Sequence, residues 1–196
     1  MRAPYQILWP LLSLFLVRVD LTDLWPIRMK VEILRVYDGD TVLVRRGSFE
    51  SKVRLSRIDA PEKGQPFLSQ AGDAGALSKK CLQHLLGSTG ELEIYGLDMY
   101  GRILGDVDQV SFKLIEKGCA SLYPYAKFKD QHEKYRYLRA LIMAKKLKLS
   151  LWAFGGIEQP KAWRSKNKHH FRRPVARLQL HRRDHFQKPY RLEQTL

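Results

Sequence analysis

A chain of 196 residues, 44% of them hydrophobic, suits one packed domain with tails. Its 35 Lys and Arg against 20 Asp and Glu leave a formal charge of +15, which favours a polyanionic partner such as nucleic acid or an anionic membrane surface and says nothing about fold. The two cysteines, Cys81 and Cys119, lie far apart with no CxxC spacing and no His cluster nearby, which argues against a zinc site. Both read as small core residues, a disulfide or a reactive thiol being the lesser options.

The N-terminal segment, 1–28, carries an apolar run from Ile7 to Val17 behind Arg2. That run of 11 residues is too short to span a bilayer, which takes roughly 20 apolar residues, but it fits the apolar region of a signal peptide. No Ala or Gly follows Pro4 before Asp38, so a small-x-small cleavage site is missing. Three readings stay open: an atypical export signal or anchor, a covering segment, or a misplaced start with Met29 as the true one. The compartment follows from that choice: secreted, periplasmic or membrane-associated in the first case, cytoplasmic in the last.

The predicted domain covers residues 29–155. Val31–Tyr37 reads as a strand, followed by the turn signal Asp38-Gly39, then Thr41–Arg46 as a second strand. Gly47-Ser48 turns into a third, Ser51–Ile58, ended by Pro61. From Ser69 to Leu86 the apolar spacing becomes helical, with Ala74, Leu77, Cys81 and Leu85 on one face. Glu91–Tyr95 and Ile103–Val107 are the fourth and fifth strands, separated by the turn Asp98-Met99-Tyr100-Gly101. Val110–Lys117 is a short helix closed by Gly118, and Asp130 caps a last helix to about Lys146, with Tyr135, Leu138, Ile142 and Ala144 expected inside. Leu149, Leu151 and Trp152 close the domain. Five short strands with a helix inserted between the third and fourth match an α+β architecture: an OB-fold five-stranded β-barrel with three packed α-helices. Residues 156–196 differ in kind. From Pro160 onward there are 11 Lys and Arg against Asp184 and Glu193, with little apolar periodicity, so a flexible basic tail is expected. It would add contacts to nucleic acid or an anionic surface, or simply solubilise the chain; with the apolar N-terminus it also suits a membrane-surface protein.

Cleaving a phosphodiester requires a neutralised phosphate, an activated water and stabilised charge in the transition state. Asp38, Asp40 and Asp59 supply carboxylates of the kind hard cations take, although Asp in a D-G-D-T turn needs no metal to explain it. Glu62 follows Asp59 by three residues, within a D-x-P-E string, and suits proton transfer from water. Arg54 and Arg102 present guanidinium forks that match phosphate oxygens. Tyr100, Tyr123 and Tyr125 offer faces for base stacking, with core packing as the competing use.

Taken together, Asp38-Gly39-Asp40-Thr41, Arg54-x4-Asp59-x-Pro61-Glu62, Tyr100-Gly101-Arg102 and Tyr123-x-Tyr125 closely resemble the staphylococcal nuclease family, over about Val31 to Trp152. The resemblance implies an OB-fold nuclease that uses Ca²⁺ to cleave DNA and RNA with little sequence preference. It implies Asp40, Asp59 and the carbonyl of Ala60 as calcium ligands, Glu62 as general base, Arg54 and Arg102 as phosphate-binding arginines, and Tyr100, Tyr123 and Tyr125 at the substrate. Ala60 stands where the family commonly has Thr, and Met99 where a Lys often precedes Tyr-Gly-Arg. Asp73 falls near the place of a further acidic residue. The pattern has nothing corresponding to residues 1–28 or the basic tail. A monomer is expected, and a non-catalytic nucleic-acid-binding barrel is the alternative reading.

Overall fold

The computed structural model describes residues 26–167. The expectations for the apolar run at Ile7–Val17 and for the tail beyond Asn167 lie outside the described residues. Five strands close a barrel in the order β1-β2-β3-β6-β5, with β5 paired back to β1. They are β1 (Ile27–Val36), β2 (Thr41–Arg46), β3 (Phe49–Leu55), β5 (Thr89–Leu97) and β6 (Ile103–Val107). β1, β2 and β3 form an antiparallel meander, while β3 and β6 run parallel, with Val53 opposite Ile103 and Arg54 opposite Leu104. Alternation along these strands sends Val42, Val53, Leu55, Leu92 and Val107 into the barrel, all essentially buried. Each such side chain contributes about 1.5–3 kcal/mol over its exposed state.

The third predicted strand breaks in two. Arg57 adopts a positive φ of 66°, so the chain turns after Leu55 and restarts as β4 (Ile58–Asp59). β4 leaves the barrel and pairs antiparallel with β7 (Ser121–Leu122), placing Asp59 opposite Ser121. The kink explains why the apolar alternation slips before Ile58.

Helix α1 (Ala74–Leu85) starts later than the predicted Ser69, because Asp73 caps it by accepting from the Ala76 amide. The same Asp73 oxygen accepts from the Gly64 amide, so Asp73 is a helix cap that also holds the preceding loop. α2 (Val110–Glu116) is short. α3 (Gln131–Lys146) opens with Asp130 accepting from the Glu133 amide while Glu133 accepts from the Lys129 amide. Its buried stripe is Tyr137 and Ala144, flanked by Ala140 and Leu141; Tyr135 and Ile142, expected inside, face solvent. Tyr137 wins the interior because its ring lodges between Phe112 and Phe128, at 5.3 and 5.4 Å.

Two further expectations are corrected. Cys81 and Cys119 are joined in a disulfide that ties α1 to the chain leaving α2. They are core residues and a covalent staple at once. Order also continues past Gly155. After a 3₁₀ turn (Ser150–Phe154) that buries Leu151, Ile157 is buried and Pro160–Lys166 forms a fourth helix, α4. Pro at its first position is pre-set for helix, a local signal the surplus of charge obscured.

Candidate active site

The site is assembled where β4 lies beside the β1–β2 turn. That turn is built by its own residues: the Asp38 side chain accepts from the Asp40 amide at 3.0 Å, and the Tyr37 amide donates to the Thr41 carbonyl at 2.9 Å. Asp40 is thereby aimed inward. One of its oxygens accepts from the Thr41 hydroxyl at 3.1 Å and the other from the Ala60 amide at 2.9 Å, which binds the turn directly to the β4 exit. Two glycines permit the close packing. A Cβ at Gly39 would fall 2.7 Å from that of Ala60 and 2.8 Å from that of Ser78 on α1. A Cβ at Gly75 would strike the backbone of Glu62 and Lys63. Small residues at both points therefore let α1 press on the acidic loops.

Arg54 joins the two carboxylates. Its Nη2 lies 3.1 Å from Asp40 Oδ2 and 3.3 Å from Asp59 Oδ1, and also donates to the Ile58 carbonyl at 3.1 Å. Its Nη1 donates to the Leu55 carbonyl at 2.6 Å. Asp59 is fully buried. Burial raises its pKa above the usual carboxylate range and the nearby Asp40 adds to the rise, against the opposing pull of Arg164 and Arg54. Burial, with the charge of Asp40 behind it, also pushes Asp38 up to about 6. Crowded acids of this kind mark a place where positive charge is welcome.

Glu62 stands at the edge of the cluster. Its amide donates to Gln65 Oε1 at 3.1 Å, and fully buried Gln65 donates from Nε2 to the Glu158 carbonyl at 2.7 Å. The Glu62 carboxylate meets a residue that sequence reasoning assigned to a flexible tail. Arg164 on α4 places Nη1 2.5 Å from Glu62 Oε1 and Nη2 3.1 and 3.2 Å from the two oxygens of Asp59. Nothing in the local sequence singles Arg164 out from the ten other cations of its segment.

The remaining expected residues lie around this centre without joining its contacts. Arg102 pairs with Asp98 at 2.6 Å and its guanidinium lies 5.6 Å from the Tyr100 ring centre. It directly precedes β6, the strand beside Arg54, and Tyr100 is largely exposed in the same turn. Tyr123 follows β7, its amide held by the Arg57 carbonyl at 2.9 Å. Its ring meets Tyr125 edge-on at 5.7 Å. Tyr125 is exposed and carries Lys161 of α4 at 4.0 Å over its ring, a cation that lowers the phenol's pKa.

Fold and site define a small barrel protein with a buried carboxylate–guanidinium centre beside a loop bearing a further carboxylate. The staphylococcal nuclease homologue model matches residues 52–154, and the chain belongs to that family. Over 154 residues it is 29% identical to a micrococcal nuclease of Shigella flexneri, covering 70% of this chain and 81% of the relative. An uncharacterized endonuclease of Haemophilus influenzae is 32% identical over 142 residues, 69% of this chain and 73% of that protein. A thermonuclease of Staphylococcus intermedius is 32% identical over 128 residues, 61% and 74% of the two chains. These relationships support a nuclease, a hydrolase of phosphodiester bonds with nucleic acid as its substrate.

Proposed function

We propose that this protein is a calcium-dependent nuclease that cleaves DNA or RNA as a monomer with little sequence preference. The observation that carries the reading is the convergence of Asp40, Asp59, Arg54 and Glu62, residues up to 22 positions apart, on one buried acidic centre. The donor set fits a hard divalent cation: it is all oxygen, and its two carboxylates lie close enough to share one guanidinium nitrogen. Among the described residues no group of three or more His, Cys, Asp or Glu forms a complete cage. The cation would therefore rest on Asp40, Asp59, the Ala60 carbonyl and water, leaving room for a phosphate oxygen.

A bound cation supplies Lewis acidity toward the phosphate. The chain's own residues do the rest. Glu62, on the solvent side of the pair, orients the attacking water and takes its proton. Arg54, fixed by two backbone carbonyls, holds the carboxylates in register and presents its charge to the phosphate. Arg102, freed from Asp98, grips a second phosphate oxygen. Tyr100, Tyr123 and Tyr125 stack on bases, which gives affinity with little sequence preference. Plasmid digestion tests the reading: cleavage in calcium, none in chelator, and a large loss with Glu62→Ala. Nucleic-acid binding that persists in chelator, with no cleavage in calcium, would instead make the barrel a binding module.

A further inference from the structure

Helix α4 brings two cations to two places that the nuclease reading needs for other partners. Lys161 covers the ring of Tyr125, a stacking face. Arg164 engages both oxygens of Asp59 and one oxygen of Glu62. With Arg54 also on Asp59 Oδ1, the Asp59 carboxylate is held between two guanidinium groups. A divalent cation on Asp59 would share that carboxylate with the guanidinium charge of Arg164, so the two compete for Asp59 through like-charge repulsion.

The contact is built, not accidental. The segment that carries Arg164 is fastened at three points ahead of it: Ile157 buried against Ala74 and Leu151, the Glu158 carbonyl held by Gln65, and Gln159 Nε2 donating to Ser121 Oγ at 3.2 Å. Gln65 and Ser121 are themselves buried, and each adjoins the centre: Gln65 holds the Glu62 amide, and Ser121 is the β-partner of Asp59. The fastening is tight up to Pro160, whereas α4 itself is seven residues long, too short to be stable without its tertiary contacts. Arg164 is about one third exposed, so its release into water is sterically open.

We propose that Arg164 is a latch: in the resting protein its guanidinium occupies the acidic centre in place of the divalent cation, and cation binding requires α4 to let go. Resting on the nuclease reading for its biological sense, the latch makes the affinity for the cation, rather than the chemical step, the quantity that the C-terminal segment sets. It also keeps Asp59 and Glu62 paired with positive charge until a cation arrives.

The test is calorimetric titration of the full chain and its Arg164→Ala variant with calcium alone, alongside cleavage at graded calcium. Arg164→Ala should bind calcium about tenfold more tightly, the size of a partly exposed charge-assisted contact, and should reach half-maximal cleavage at correspondingly lower calcium. Arg164→Lys, which keeps charge but loses the fork, should fall between the two. Arg164→Gln replaces alanine if circular dichroism reveals a disturbed fold. Calcium affinity unchanged or weakened in the variants overturns the latch, as does lost cleavage at saturating calcium with affinity unaltered, which would make Arg164 a phosphate ligand. Tighter calcium binding without cleavage by either protein sustains the latch and sinks the nuclease reading; cleavage without any gain in affinity does the reverse.

Discussion

The protein buries two carboxylates in very different ways. Asp59 and Asp106 are both almost inaccessible, and burial raises the pKa of each. Asp106 Oδ1 accepts from the Val107 amide at 2.8 Å and the Ser111 amide at 3.1 Å, backbone donors fixed by β6 and α2. Its charged neighbour Arg57 is committed elsewhere, to Glu133 at 3.1 Å and to the face of Tyr95 at 4.5 Å. Asp59 has instead, among the described residues, only guanidinium partners, Arg54 and Arg164, one of which arrives on the short helix α4. Backbone donors cannot leave without unfolding; side-chain cations can. A carboxylate served by exchangeable partners is suited to trading one cation for another, while one served by amides is suited to holding a strand to a helix.

The largest expected effects test that division at the acidic centre. Glu62→Gln removes a proton acceptor and should lower cleavage by about 10²–10⁴-fold, with Asp59→Asn at least as damaging. Neither should shift the melting temperature much, because Arg54 keeps Asp40 and two backbone carbonyls as partners and Arg164, one third exposed, turns to water. Steady-state cleavage beside thermal melts checks this, and a collapse in stability that matches the loss of rate would place Asp59 with Asp106 as a structural group. Next in size is the disulfide, which closes a loop across 38 positions. The double substitution Cys81→Ser and Cys119→Ser should cost about 3 kcal/mol in a urea titration, with a steeper slope because the unfolded chain opens further. Because α1 carries Ser78 against Gly39 and Gly75 against Glu62, cleavage should also weaken in the double variant. A loss below about 1 kcal/mol would mean that packing alone holds α1 in place.

Much of this was legible in the sequence, for identifiable reasons. Alternating Val42, Val44, Val53 and Leu55 announced the meander, and Asp38-Gly39 its turn. Asp40, Arg54, Asp59 and Glu62 could be read as one centre because the family's spacing carries three-dimensional information that their individual chemistry does not. What escaped depended on contacts between distant segments. The kink at Arg57 breaks a strand whose composition favours continuing. The inward face of α3 was decided by Phe112 and Phe128, not by its own periodicity. Two cysteines 38 positions apart give no sign of whether they meet. Arg164 escaped for the same reason: its value lies 102 positions away, at Glu62.

The smallest expected effect belongs to the structural carboxylate, and it has a definite sign. Burial pushes Asp106 up to about 7, well above its ordinary value, so the folded state keeps a proton that the unfolded chain has already released. Stability from this group is therefore complete at pH below the unfolded value and falls as pH rises toward and through about 7. Between pH 5 and pH 7 the loss amounts to about 2 kcal/mol. Asp106→Asn retains the oxygen that accepts from Val107 and Ser111 but cannot ionise, so its stability should fall less steeply over that interval, the remaining slope coming from the raised Asp38 and Asp59, while cleavage is unaffected. Urea midpoints measured across that range check the first half and cleavage rates the second. An Asp106→Asn profile as steep as that of the parent chain would move the titrating group elsewhere, and a loss of cleavage would mean that the two buried carboxylates do not divide structure and chemistry between them.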